Sequence, residues 1–371
     1  MKQKLKIMFS IHGLCKGGAE RVISNLSNYF CNEYEVSLLA INAFDDEKNY
    51  DLDKRVKYIK CGNSWYKNTK NLFMKFKNLF FNLKKIKKNL KSENPDVIVV
   101  FLPRSAFKIL LVKPKNTKVI YSGRNDPEKL YDSKIKKLLV KILFKRIDGF
   151  IYQTEDEKKW YEKRFKKEGK VILNSLNPSF VVDKPYTKQR KKEIVSMGRL
   201  SEQKNFPLLI NAFKIVSEKH PDYKLTIYGE GELKNNLLEQ AKNLNLEKKV
   251  SFPGIIDDVK SAIYDATVFV LPSNFEGMPN ALIEAMVLGL PVIATDCPCG
   301  GPKTLIDNNK NGILININDQ EALAKGINKI IEDSNFSKTI GDNASKLINL
   351  VNPDVVNKEW EDFILKTYNK R

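Results

Sequence analysis

The residues best equipped for chemistry stand in the second half of the chain. Residues 271–284 read LPSNFEGMPNALIE and carry Glu276 and Glu284. The apolar run 267–271 reads as a buried strand, 272–277 as a loop, and 281–288 as a helix. Pro279 suits the first turn of that helix, where its missing N–H is not needed. Two carboxylates thus mark a strand-to-helix junction, together with Gly277, Met278 and Asn280. Ionised carboxylates accept strongly from hydroxyls, and a sugar ring or a ribose offers hydroxyls in neighbouring pairs. Two glutamates at this spacing would by themselves fit any charged helix, so the surrounding features carry the specificity.

Gly198-Arg199 and Lys204 follow another apolar run just ahead of a helical pattern. Gly198 permits a tight turn. A guanidinium, an ammonium and a helix N-terminus suit a diphosphate, and a solvated basic loop is the plainer alternative. In the first half, Gly17-Gly18-Ala19-Glu20-Arg21 joins the first strand to the first helix. Adjacent glycines let backbone N–H groups approach an anion, or mark a turn and nothing more. The G-x-G-x-x-G fingerprint is absent. His12 stands after the first strand, open to donor contact or to packing in its loop. His220, beside Pro221, reads as structural. No metal site is expected. Cys297-x-Cys299 lacks zinc spacing, and Asp51-Leu52-Asp53 reads as surface charge.

These residues need elements to hold them. Strand-like runs at 4–11, 36–41, 56–60, 97–102, 119–122, 150–153 and 171–174 alternate with helical stretches. A linker rich in Lys, Arg and Pro follows at 177–192. The alternation then resumes with strands at 194–197, 224–228, 250–252, 267–271, 291–294 and 312–314. Continuous apolar runs suit strands covered on both faces, and strand–helix alternation means parallel sheets with right-handed crossovers. A chain of 371 residues exceeds one core of roughly 250–300 residues. The reading is α/β, with two Rossmann-like doubly wound domains facing a cleft: an acceptor domain 1–176, a linker 177–192 and a donor domain 193–350. A helix at 351–371 is expected to pack back on the first domain. In such sheets ligands bind beyond the carboxyl ends of the strands, where the residues above fall.

Taken together, Gly17-Gly18-Ala19-Glu20-Arg21, Gly198-Arg199 with Lys204, and Glu276 with Glu284 resemble glycosyltransferase family 4, of the GT-B fold. Residues 276–296, EGMPNALIEAMVLGLPVIATD, are the most specific part. Residues 121–127, YSGRNDP, resemble a segment of hexose and N-acetylhexosamine transferases in that group. The resemblance implies that Arg199 and Lys204 hold the donor diphosphate, Glu284 the ribose and Glu276 the donor sugar. It also implies that Gly17, Gly18, Gly254 and the Gly300-Gly301-Pro302 loop lie near the donor. It implies retention of anomeric configuration, no divalent metal and no cofactor beyond the nucleotide-sugar, with UDP the expected nucleotide. The family's histidine after the fourth strand is missing; Arg104 stands there, and Arg104, Arg124 and Asn125 are the acceptor-side candidates.

The net charge is +20, and five scattered cysteines argue against a disulfide framework. Between Lys54 and Ser92 there is no acid. Instead Trp65, Tyr66, Leu72, Phe73, Phe76, Leu79, Phe80 and Phe81 interleave with Lys67, Lys70, Lys75, Lys77, Lys84 and Lys85. A second basic apolar stretch covers 134–146. Such helices lie in the interface of anionic membranes. The expected acceptor is therefore a polyprenyl-diphosphate-linked or polysaccharide glycan of the capsule or O-antigen kind. The expected location is cytoplasmic, peripheral on the inner face of the plasma membrane. A basic nucleic-acid-binding protein would explain the charge but not the glutamates; a nucleotide-sugar epimerase of the same fold would explain the glutamates without an acceptor.

Overall fold

The computed structural model describes residues 4–15, 17–43, 50–62, 71–124, 126–131, 133–181 and 189–370. The chain forms two compact units, Met1–Ile172 with Val356–Arg371, and Leu173–Val355. Leu173 to Leu176, expected in the first domain, fall in the second. There the Leu176 N–H donates to Val351 O at 2.9 Å, and the side chain packs against Val195, Phe269 and Leu271. Part of the expected linker, 182–188, lies outside the described residues.

The first unit holds a parallel sheet of seven strands: β1 Lys6–Ile11, β2 Glu35–Ala40, β3 Lys57–Lys60, β4 Val97–Phe101, β5 Lys118–Ser122, β6 Gly149–Tyr152 and β7 Gly169–Val171. Their order is β3-β2-β1-β4-β5-β6-β7. β4 is buried along its whole length, as its unbroken Val-Ile-Val-Val-Phe run requires. β7 starts earlier than the apolar run suggested. Gly169 lies against the Tyr152 ring, where a Cβ would come within 2.1 Å of a ring carbon, so a residue of low strand propensity opens the strand. Three helices matter for the site: α1 Gly18–Phe30, α2 Leu72–Glu93 and α3 Pro103–Val112.

The second unit repeats the plan with six parallel strands: β8 Lys191–Met197, β9 Lys224–Tyr228, β10 Val250–Gly254, β11 Ala266–Leu271, β12 Val292–Thr295 and β13 Ile313–Ile315. Their order is β10-β9-β8-β11-β12-β13. In each sheet the winding reverses beside the first strand, between β1 and β4 and between β8 and β11. The loops leaving those two strands diverge, which opens a crevice at the carboxyl ends.

The C-terminal helix Pro353–Asn369 completes the core of the first unit. Val356, Trp360, Phe363 and Ile364 are buried with Phe9, Phe30 and Phe101. Arg124, expected on the acceptor side, serves this packing instead. Its guanidinium lies 4.1 Å from the Phe101 ring centre and 5.3 Å from that of Trp360, a cation–π arrangement. Burial holds it down to about 9, against a partial upward pull from Glu157. Asn125 lies outside the described residues. Glu157 stands at the third position of a helix capped by Thr154 and accepts from the Gln153 N–H at 2.7 Å. Burial raises it to about 7, the Gln153 N–H and Arg124 pull it down, and Asp126 pushes it up.

Glu157 therefore holds its proton more tightly in the folded chain than in the unfolded one. Its share of stability is complete below about pH 4.5 and is lost as pH rises through about 7. A shift of that size amounts to on the order of 3 kcal/mol. Glu157→Gln should flatten this part of the profile, read as urea midpoints between pH 4.5 and 8; a variant with the wild-type slope would contradict the assignment.

Candidate active site

At the carboxyl end of the second sheet, the loops after β8 and β11 lock together. The Lys204 ammonium lies 2.5 Å from Glu276 Oε1, and the Ser273 hydroxyl donates to the same oxygen at 2.8 Å. Both charged side chains are largely buried. The two residues, read from sequence as separate contacts to diphosphate and sugar, thus enter the site as one ion pair. Gly198 lies directly under the Lys204 stem: at φ +157, a Cβ would come within 2.8 Å of the lysine Cε. Arg199 is exposed, and its guanidinium makes no ion pair among the described residues. Of the two cations, it is the one without an ion pair among the described residues.

Backbone contacts fix the Glu276 loop from several sides. Asn274 N–H donates to Gln203 O at 2.8 Å, Glu276 N–H to Pro298 O at 2.6 Å, and Cys299 N–H to Glu276 O at 2.9 Å. Gln203 Nε2 donates to Phe275 O at 3.1 Å, and the Thr295 hydroxyl to Ser273 O at 2.5 Å. Gly301 packs so closely that a Cβ would overlap Gly277 O. Gly254, at φ +89, would meet the Glu230 carboxylate.

The helix Asn280–Val287 starts after Pro279, which sits at its cap rather than within its first turn. Asn174 Nδ2 donates to Asn280 Oδ1 at 2.8 Å. Glu284 is buried on this helix. Met278, expected beside the donor, is packed with Leu271 and Leu282 in the core; its side chain supports the loop.

In the first unit, His12 follows β1, and its Nε2 lies 3.6 Å from Glu20 Oε1. Glu20 also explains Gly17: a Cβ there would come within 2.4 Å of the Glu20 carboxylate. The Gly17 N–H donates to the Tyr50 hydroxyl at 3.1 Å, and that hydroxyl donates to Gly17 O at 2.8 Å. The Gly17 backbone is therefore engaged within the loop, and Gly18 begins α1. Arg104 is exposed on the first turn of α3. That turn is set by Leu102 at φ +68, a conformation that costs on the order of 1–3 kcal/mol in a non-glycine residue.

Sequence reasoning missed Ser273, Gln203, Asn274, Glu230 and Tyr50. Each acts across a loop or between loops, where period gives no signal; Ser273, Asn274 and Glu20 stood in quoted segments without a role of their own. Among the described residues, no group of three or more His, Cys, Asp or Glu is placed to hold a metal ion. Cys297 is pushed up to about 12 by burial first and then by the Glu276 charge.

The buried pair makes a stability prediction. Lys204→Ala or Glu276→Ala leaves a buried charge without its partner, at a cost of roughly 3–5 kcal/mol. Replacing both with apolar residues, Lys204→Met with Glu276→Leu, should cost less than either single change. Denaturant midpoints of the three variants decide it, and additive losses would contradict the coupling.

Comparison with known proteins agrees with this architecture. The family model described as Glycosyltransferase Family 4 matches residues 16–180, and that described as Glycosyl transferases group 1 matches 182–347. A Campylobacter jejuni protein is 28% identical over 366 residues, covering 98% of this chain and 99% of its own. Its name is GalNAc-alpha-(1->4)-GalNAc-alpha-(1->3)-diNAcBac-PP-undecaprenol alpha-1,4-N-acetyl-D-galactosaminyltransferase. The amylovoran biosynthesis glycosyltransferase AmsD of Erwinia amylovora is 24% identical, covering 97% of this chain and 99% of its own. Among solved structures, TarM superposes with a TM-score of 0.81 at 18% identity, covering 100% of this chain and 99% of its own, a likeness of fold. With a family 4 first half, a group 1 second half and two parallel-sheet units of the GT-B type, this chain belongs to the GT-B glycosyltransferases of family 4.

Proposed function

We propose that this glycosyltransferase moves a hexose or N-acetylhexosamine from a UDP-sugar to a polyprenyl-diphosphate-linked glycan, with retention at the anomeric carbon. The observation that carries the reading is the Lys204–Glu276 pair with exposed Arg199 beside it, at the switch point of the second sheet. A diphosphate arriving there meets a guanidinium suited to two-point binding and an ammonium already desolvated. Glu276, held by Ser273, is left to accept from sugar hydroxyls. The printed name of the Campylobacter relative includes an undecaprenyl diphosphate, and HepE of Anabaena has been solved with UDP and glucose.

In this proposal the acceptor oxygen bonds to the anomeric carbon on the face from which the phosphate leaves. The carbon–oxygen bond to that phosphate breaks, and the acceptor proton passes to a departing phosphate oxygen. A retaining glycosidase would instead need two carboxyl groups about 5–5.5 Å apart as nucleophile and acid/base. Here Glu276 is committed to Lys204, so catalysis rests on charge stabilisation and positioning. We propose that Arg199 and Lys204 supply the positive charge, without a divalent metal.

The second part of the proposal is a peripheral attachment to an anionic membrane. No helix among the described residues is long and apolar enough to cross one. α2 is anchored by buried Ile86 and Leu90 and by the Asn82 amide, which donates to Ile41 O and Cys61 O. Its opposite side exposes Phe73, Phe76, Phe80 and Phe81, with Phe80 67% exposed. The helix Lys134–Leu143 exposes Ile135, Leu138 and Ile142. Both helices pack on α3. Trp65, Tyr66, Lys67, Lys70 and the side chain of Leu72 lie outside the described residues.

Two experiments test the proposal. Arg199→Ala should weaken UDP binding by about 10–100-fold, the value of a charge-assisted bond at 1.5–3 kcal/mol, with turnover unaffected by EDTA; calorimetry giving wild-type affinity would remove Arg199 from the site. Phe76→Ser with Phe80→Ser should abolish flotation with anionic vesicles while leaving turnover on a water-soluble acceptor intact. Equal flotation of the variant would sink the membrane assignment.

A further inference from the structure

α3 carries a second cationic pair, one that the donor chemistry does not use. Arg104 and Lys108 lie one turn apart on the helix that leaves β4, at the switch point of the first sheet. Asn42, just after β2, donates its N–H to His12 O at 2.7 Å, so the ends of β1, β2 and β4 meet here. The Asn42 side chain accepts from Lys108 Nζ at 2.9 Å, which fixes a half-buried ammonium with a neutral partner. Among the described residues, neither Arg104 nor Lys108 makes an ion pair. Among the described residues, the groups that act on Lys108 bring no negative charge. Burial raises the Cys61 thiol, which stays neutral, and Lys85 of α2 adds positive charge, its Nζ 3.4 Å from Gly62 O. Burial, with Arg104 adding to it, brings Lys108 down to about 8.

We propose that Arg104 and Lys108 form the binding site for the diphosphate of the lipid-linked acceptor, with Lys85 at its margin. The inference rests on the reading of this unit as the acceptor side. Two neighbouring cations, one drawn out of water and without a counter-charge among the described residues, are poorly stabilised on their own and well matched to a multiply charged anion. A guanidinium reads paired phosphate oxygens, and the ammonium adds a point charge. The acceptor diphosphate is the better fit than the donor's, for two reasons. The second unit has its own pair for the donor, and α3 is flanked by the two helices whose exposed apolar side chains suit a lipid surface. A polyprenyl chain lying along such a surface would bring its diphosphate to the α3 cations.

The test is steady-state kinetics with a short-chain polyprenyl-diphosphate-linked acceptor. Arg104→Gln and Lys108→Gln should each raise the acceptor KM about tenfold or more. The donor KM, UDP affinity and binding to anionic vesicles should stay unchanged, and Lys108→Arg should recover most of the loss. Wild-type acceptor binding should weaken between pH 7 and 9 as Lys108 loses its proton, whereas Lys108→Arg should not follow. An unchanged acceptor KM would overturn the proposal, as would an equal rise in the donor KM, or an equal loss with an acceptor lacking the diphosphate. If the enzyme proves not to use lipid-linked acceptors, calorimetry with inorganic pyrophosphate still tests the pair. Binding that persists in Arg199→Ala and is lost when Lys108→Gln is added to it would uphold the anion site; no binding by Arg199→Ala would end it.

Discussion

A lysine ammonium and a carboxylate, once taken out of water together, each cost several kcal/mol to leave alone. The carboxyl end of the second sheet is organised by that constraint. Lys204 and Glu276 come from loops 72 residues apart in sequence, and their contact ties the turn after β8 to the loop after β11. Ser273 satisfies a further lone pair of the carboxylate, while backbone hydrogen bonds hold the loop that carries it. The glycines follow from the same crowding. At Gly198 the lysine stem occupies the space of a side chain, and at Gly301 a neighbouring carbonyl does. The loops are tied together at Lys204 and Glu276, and Arg199 beside them is exposed.

The first unit handles its charges differently. Arg124 and Glu157 are buried near one another, and each moves toward its neutral form, the arginine downward and the glutamate upward. The Arg124 guanidinium lies over the Phe101 and Trp360 rings. Among the described residues, Arg104 and Lys108 make no ion pair, and they stand at the place where a parallel sheet accepts ligands. The contrast is between an arginine packed over aromatic rings of the core and a cationic pair at the end of the sheet.

Much of the fold was legible because buried parallel strands write themselves as continuous apolar runs; the expected strands 97–102 and 267–271 are found at Val97–Phe101 and Ala266–Leu271. The seventh strand was misplaced because its first residue is a glycine chosen for contact with Tyr152. Within the site, Arg199, Lys204, Glu276 and Glu284 were legible as types at strand ends, but their pairing was not. No local pattern says that one residue's side chain will meet another's across 72 positions. Arg124 was read as an acceptor-side candidate, and its burial over the Phe101 and Trp360 rings, the second from the far end of the chain, was not legible locally. Tyr50 closing on Gly17 belongs to the same class: a long-range contact that turns an apparently open glycine backbone into an occupied one.

That far-end contribution bears on how the protein is made. Trp360 and Phe363 sit in the same cluster as Phe9, Phe30 and Phe101, so the first unit has a hole in its centre until residues 356–364 have left the ribosome. Domains usually fold as units, amino-terminal first, while synthesis continues. Here the leading unit must wait, with apolar surface open, while the whole of the trailing one is translated. The second unit, built from the single stretch Leu173–Val355, needs no residue from elsewhere in the chain to complete it.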